Sequence, residues 1–392
     1  MPPIPPEFLR ARKTALCALG PIRPADDNSR APKNFMFTAQ RTKAGASLPD
    51  YYLVYFLLVD LLEFKHYGES EKVAWSVPID YQGKAFVIEH RKLGFGVFTD
   101  EPERHEAAAA EIVRRIQRAV KVARPFFDWL AEQAVTASKV NVLNNSDDLF
   151  KRFEFLLNLY KAKIGEAEAR KDERHVTKGK TESGMTWTST KMPYFQLARE
   201  ADWLALAVIE AFFSWTEHAF LHLAVLMDHA ASAQDLTSLA EKEWPDKYKT
   251  AIGCADDDSR EHYERLLALR RELRNYIAHG AFGKQGEAFT FHSHAGAVPV
   301  MLPHRRGTRK FRFGHGVSLN SGAAIQTIEE FIAFLWSGKR APARIYLESD
   351  LPLILTMVAR GDYRLAMQSE ESMRQFVDYL NGEFDRAANM DW

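Results

Sequence analysis

Charge imbalance is missing from this 392-residue chain. Lys and Arg number 52 and so do Asp and Glu, so no long-range field draws the whole molecule to nucleic acid or an anionic membrane. Any polyanion site must therefore be a local patch. Cysteine is scarce as well. Cys17 and Cys254 stand far apart and form neither a disulfide framework nor a zinc-ligand cluster, which fits a reducing compartment and a cytoplasmic location. Long apolar runs are also lacking. The most apolar window, YYLVYFLLVDLL (Tyr51 to Leu62), is far shorter than the roughly 20 residues of a bilayer span and contains Asp60, so a buried helix is expected and no membrane contact. The opening MPPIPPEFLRARK sets prolines and a glutamate where an export signal would place basic residues and a continuous apolar stretch.

Familiar motifs are missing too. There is no Gly-x-Ser-x-Gly elbow and no dinucleotide fingerprint. TKGKT suggests a phosphate loop, but the glycine required five positions before Gly179 is Arg174, which rules the motif out. No internal repeat is visible. No cofactor and no metal are expected.

What remains is a mainly helical pattern with small β insertions. Residues 1–48, rich in Pro, Ala, Lys and Arg, read as a poorly ordered lead-in. Residues 49–140 read as an α+β region of unassigned role. After the apolar window, Lys72 to Phe98 alternates around YQGK as a short hairpin or three-strand meander, and a helical stretch from Glu103 to about Ser138 is divided at Pro125. Residues 146–338 form a helical domain. In it a helix starts at NSDD, a polar exposed connection follows (KDERHVTKGKTESGMTWTSTKMP), and then a long, largely buried helix runs from Phe195 to Ala230. A β-hairpin is expected after residue 280, and residues 339–392 form a C-terminal helical extension.

The helix from Asp258 to His279 is the most informative segment. At 100° per residue Leu266, Leu269, Leu273, Tyr276 and Ile277 share an apolar arc, while Glu264, Arg271, Asn275 and His279 lie opposite, with Arg274 on the flank. An Arg five residues before a His is common in a chain of this composition; Arg170 and His175 form a second such pair, to which no function attaches. Arg-Asn followed by three residues and His, at the end of an amphipathic helix and before glycine, has a chance expectation on the order of a few in a hundred.

Arg274-Asn275-Tyr276-Ile277-Ala278-His279 resembles the R-N-x-x-x-H signature of HEPN-superfamily ribonucleases. The apolar stretch Ala211 to Leu226 is similar to the long buried helix that those domains place before the motif helix. The resemblance spans roughly residues 146–338. It implies a helical bundle that forms a homodimer in which two copies of the motif face one cleft, and a metal-independent endoribonuclease of a toxin or phage-defence system. In that setting His279 is a general base, Arg274 a clamp on the charged phosphoryl oxygens and Asn275 a positioning residue, acting on RNA. The alternative is a catalytically silent helical module for dimerisation or partner binding, with His279 capping the helix and Arg274 paired to an acid.

Arg270 and Arg271 are candidate RNA contacts or plain exposed helix charge. Arg309 and Arg312, in HRRGTRKFRFGH, are candidate RNA contacts on a strand or solvated hairpin charge. Glu217 is a possible support for the site or an ordinary acid at the core edge. His218 with His222, and His292 with His294, have metal-ligand spacings, but no Cys or acid completes a set, so histidines hydrogen-bonded within the bundle are expected.

Overall fold

A computed structural model describes residues 5–26, 29, 31–182, 184–279, 287–301, 312–313 and 320–390; the side chains at 275–279, 287–288, 301 and 312 lie outside that description. Helix accounts for 61% and strand for 16%, so the chain is mainly helical with a small sheet region. It divides into two units, Met1–Lys139 with Asp378–Trp392, and Val140–Val377.

The first unit contains α1 (Leu9–Leu19), β1 (Ile22–Pro24), α2 (Phe35–Thr38), β2 (Gln40–Arg41), α3 (Tyr51–Tyr55), the meander β3 (Val73–Tyr81), β4 (Lys84–Arg91) and β5 (Gly94–Thr99), then α4 (Pro102–Val122) and α5 (Arg124–Thr136). The five strands form one antiparallel sheet in the order β1-β3-β4-β5-β2. Alternation sends Val77, Ile79, Phe86, Ile88 and Val97 into a core shared with Ile112 and Ile116 of α4. Residues 1–48 differ from a loose lead-in. They supply a helix and both edge strands, and Ala15, Leu19 and Ile22 are buried in that core. The proline-rich composition conceals this because the ordered pieces are short. Pro125 sits in the first turn of α5, where its missing N–H costs nothing, and the break falls at Ala123. The apolar window begins as α3 and continues as a π-helical turn, Phe56–Leu61.

The second unit opens with β6 (Asn141–Val142) and α6 (Ser146–Ala169), followed by the hairpin β7 (His175–Lys180) and β8 (Thr186–Lys191) and by α7 (Pro193–Leu226). Next come α8 (Ala233–Ala240), α9 (Trp244–Ala251) and α10 (Asp257–His279), then β9 (Glu287–Ser293), β10 (Gly296–Met301) and β11 (Arg312–Phe313). The unit ends with α11 (Ser321–Leu335), α12 (Ala341–Leu347), β12 (Leu353–Ile354), α13 (Leu355–Arg360), α14 (Asp362–Ala366) and the start of α15 (Glu370–Asn389). The connection read as irregular is therefore a two-stranded ribbon. Its polar β-branched residues alternate without an apolar face, so the usual strand signal is weak.

α7 is the axis of this unit. Among the described residues it alone is long and apolar enough to cross a bilayer, and 56% of its most apolar window is buried. α6, α9 and α11 pack against it. Aromatic rings fill the contact: Phe153, Phe212, Trp215, Phe220, Trp244, Tyr248 and Phe331 are all nearly inaccessible. Each polar ring atom has a partner, as burial requires. Trp215 Nε1 donates to Ser146 Oγ (3.0 Å), Trp244 Nε1 to Thr216 Oγ1 (3.0 Å), and the Tyr248 hydroxyl to the Ser259 carbonyl (2.8 Å). α10 starts where the acid-rich signal places it. The Asp256 carboxylate accepts from the Ser259 backbone N–H at 2.7 Å, capping the first turn.

Candidate functional site

α10 packs with its apolar stripe inward: Leu266, Leu269 and Leu273 are buried. The helix runs unbroken through His279, so the whole six-residue motif lies on one regular helix. Tyr263 packs on Tyr248, which packs on Phe220, and seven residues on Arg270 meets Glu217 and Phe213, so α10 descends antiparallel to α7. Between α7, α10 and the start of α9 lies a cleft of about 700 Å³. Glu210, Phe213, Ser214 and Glu217 line it from α7, Arg270, Leu273 and Arg274 from α10, and Glu243 from just before α9.

A charge network forms one wall. Glu217 Oε1 accepts from Arg270 Nη2 at 3.0 Å and Glu217 Oε2 from Lys247 Nζ at 3.1 Å. The Lys247 side chain is only 7% exposed, so its ammonium depends on this carboxylate. Partial burial pushes the Glu217 carboxyl up, but the hydrogen bonds from Lys247 and Arg270 outweigh it and hold the group below the ordinary carboxylate range. Arg270 is fixed further by ring faces, its guanidinium carbon 5.3 Å from the Phe213 centroid and 5.7 Å from that of Trp244.

Arg274, one turn on, is different. It is exposed on the cleft wall and makes no ion pair among the described residues. Arg271 is exposed but is not part of the cleft lining. Arg152 of α6 donates from Nη2 to Ser214 Oγ, a cleft residue, at 2.9 Å. An exposed guanidinium that shares a cleft with an apolar ring and a fixed ion-pair wall can take an oxyanion without first breaking a salt bridge.

The sequence-derived site residues are thus only partly assembled. Arg270, Arg274 and Glu217 share the cleft. Asn275 and His279 have helical backbone, but their side chains lie outside the described residues, as does the side chain of Arg312, whose backbone belongs to β11. Arg309 lies outside the described residues. Sequence reasoning missed Lys247, Ser214 and Arg152. Lys247 had a signal. It falls on the helical stripe of Trp244, Tyr248 and Ala251, all buried, where a lysine needs an acid.

The histidine pair on α7 is engaged in the bundle. His218 Nε2 accepts from the Asn145 N–H at 2.9 Å, His222 Nδ1 lies 3.2 Å from the His218 carbonyl, and the rings are 4.5 Å apart. Among the described residues no group of three His, Cys, Asp or Glu is placed to hold a metal ion. His292 and His294 are exposed at the β9–β10 turn.

Comparison of the chain with family models, curated proteins and solved structures returns no match.

Proposed function

We propose that this protein is a metal-independent endoribonuclease with a HEPN-like helical bundle as its second unit, acting as a homodimer. The observation that carries the reading is the contrast within α10: Arg270 is locked by Glu217, while Arg274, the first residue of the motif, faces the cleft with no acid partner among the described residues. A guanidinium in that state is ready to meet charge that develops on a substrate.

The chemistry follows from the residue types. His279 takes the proton from a ribose 2′-hydroxyl, whose oxygen attacks the adjacent phosphorus. The P–O5′ bond breaks, leaving a 2′,3′-cyclic phosphate on one fragment. The second subunit's copy of the same histidine returns a proton to the departing 5′-oxygen. Arg274 donates to the phosphoryl oxygens as their charge grows, and Asn275, one turn before His279, orients the ring or the phosphate. An effector role in a toxin or defence system fits a chain that destroys RNA by this route.

The test is incubation with single-stranded RNA in excess chelator. Wild type is expected to cut ribose-containing strands and leave 2′,3′-cyclic ends, while His279→Ala and a 2′-deoxy substrate give no product. Loss of cutting in chelator alone would replace the reading with a metal-dependent enzyme. Retained cutting by His279→Ala would remove the histidine from the mechanism, and a dimer that never cuts would leave a silent interaction module.

A further inference from the structure

No residue of the ribbon β7–β8 is buried. All residues of its two strands are exposed except Gly179 and Ser189, which are partly so. An isolated two-stranded hairpin is marginal in water, so a ribbon wet on both faces calls for an explanation. The register pairs His175 with Lys191, Thr177 with Ser189 and Gly179 with Trp187, which puts these six on one face. Lys178 and Lys180 lie on the other with Thr186, Thr188 and Thr190.

Trp187 is the unusual member. A Cβ built on Gly179 would meet Trp187 Cζ2, Cε2 and Nε1 at 2.6, 2.7 and 2.9 Å. These three contiguous atoms form one rim of the indole, which lies against the glycine. Only glycine leaves room for that. The ring is therefore held against the ribbon, and Trp187 is still 46% exposed. An anchored, wet indole can stack a base, and base–aromatic stacking does not depend on which base is offered. On the same face, Thr177 and Ser189 stand one cross-strand pair away and Lys191 two pairs away, opposite His175, whose Nε2 is 2.7 Å from Glu173 Oε1; the two strands carry three lysines and no acid of their own.

We propose that this ribbon grips single-stranded RNA, with a base stacked on Trp187, a phosphate further along the strand at Lys191, and Lys178 and Lys180 raising the local positive potential. The choice of RNA rests on the ribonuclease reading; the stacking and charge argument does not. The ribbon is rooted at Pro193, about 25 Å along α7 from Glu210, which lines the cleft together with Arg274. α10 descends toward the same end, so strand held by the ribbon is directed at the Arg274 cleft.

The experiment measures fluorescence anisotropy of a labelled 20-nucleotide RNA with the full chain, in a His279→Ala background so that the strand survives. Trp187→Ala is expected to weaken binding about 5- to 100-fold and Trp187→Phe to restore most of it. Gly179→Val, which drives the ring off its seat, is expected to mimic Trp187→Ala. Replacing Lys178, Lys180 and Lys191 together by glutamine is expected to flatten the logarithmic salt slope by at least about 0.7, the share of the one phosphate held at Lys191. Should Trp187→Ala open the ribbon to protease, Trp187→Phe and the lysine variant decide. Equal losses on a DNA 20-mer support the grip and leave ribose discrimination to the cleft. Binding within twofold of the parent for Trp187→Ala with an intact ribbon overturns the proposal. So does a variant that splits a dimer in sedimentation while RNA affinity holds, because the ribbon would then be a contact between chains. If wild type never cuts RNA yet these variants still bind it less, the ribonuclease reading fails and the grip stands.

Discussion

Glu217 holds two cations at once, Arg270 at 3.0 Å through one oxygen and Lys247 at 3.1 Å through the other, and so joins α7 to both α9 and α10. The partners differ in what they need from it. The Arg270 side chain is about a third exposed and has rings to rest on, whereas that of Lys247 is 7% exposed. Removing the carboxylate therefore strands the lysine far more than the arginine.

Glu217→Ala is expected to destabilise the second unit by about 2 kcal/mol, less than the figure for a fully buried pair because the Glu217 side chain is itself 38% exposed. Adding Lys247→Met removes the stranded charge and should recover much of the loss. Urea unfolding of the single and double variants measures both. The sign with pH follows from the lowered carboxyl. Its contribution is complete above the ordinary value of 4.5 and is lost as pH falls through the lower folded-state value. A Glu217→Ala protein as stable as wild type would mean that Lys247 finds another acid or water.

Arg270 and Arg274 separate stability from activity. Arg274→Ala removes an exposed side chain with no ion pair among the described residues, so unfolding should stay within about 0.5 kcal/mol of wild type. RNA cleavage should fall about 10²- to 10³-fold, the scale for losing one donor to a charged transition state. Arg270→Ala should instead cost about 1–2 kcal/mol, because the ion pair and the packing over Phe213 and Trp244 go together. Parallel denaturation and cleavage measurements on both variants test the division. If Arg274→Ala loses stability and keeps full cleavage, Arg274 is a structural residue.

Much of this was legible in the sequence, for stated reasons. α10 announced itself through the Asp256 cap and the leucine stripe because local spacing alone decides both. The meander around YQGK was visible for the same reason: its apolar residues alternate. The order in residues 1–48 was not visible, since Ala15, Leu19 and Ile22 are buried by partners far along the chain and periodicity carries no such information. The ribbon was missed because its anchoring contact pairs Gly179 with Trp187 across strands. Glu217 and Arg270 were each singled out, yet their bond could not be, for it joins residues 53 apart.

His222 gives the second unit an acid-sensitive point inside α7. Burial, together with neighbouring His218, lowers its imidazole from 6.5 to about 4, and burial lowers His218 as well. A lowered histidine is neutral in the fold while the unfolded chain takes up a proton, so stability is complete above about pH 6.5 and falls as the pH drops from there toward 4. The whole interval corresponds to a loss of about 3 kcal/mol. Protection factors of amides in α7, taken against the intrinsic exchange rate at each pH, should fall across that range in wild type, and His222→Leu should flatten the response. An unchanged fall in His222→Leu would assign the sensitivity elsewhere.

Asp60 carries the opposite sign in the first unit. It lies in the π-helical turn Phe56–Leu61, its Oδ2 buried with no hydrogen-bond partner among the described residues, and burial pushes the carboxyl up to about 6, with His66 drawing it partly back. Folding must therefore hold a poorly solvated anion at neutral pH, a cost that fades as the pH falls through 6 and vanishes near 3.8, where the unfolded chain is protonated too. Asp60→Asn keeps the shape and removes the anion. Because the residue is only about half buried, the expected gain at pH 7.5 is about 1 kcal/mol, less than the full shift implies. Amide exchange in α4 and β4, measured from pH 7.5 to 4, should show slower opening in the variant at the upper end and none of that advantage at the lower. A gain that persists at pH 4 would mean that packing, not charge, is what the substitution relieves.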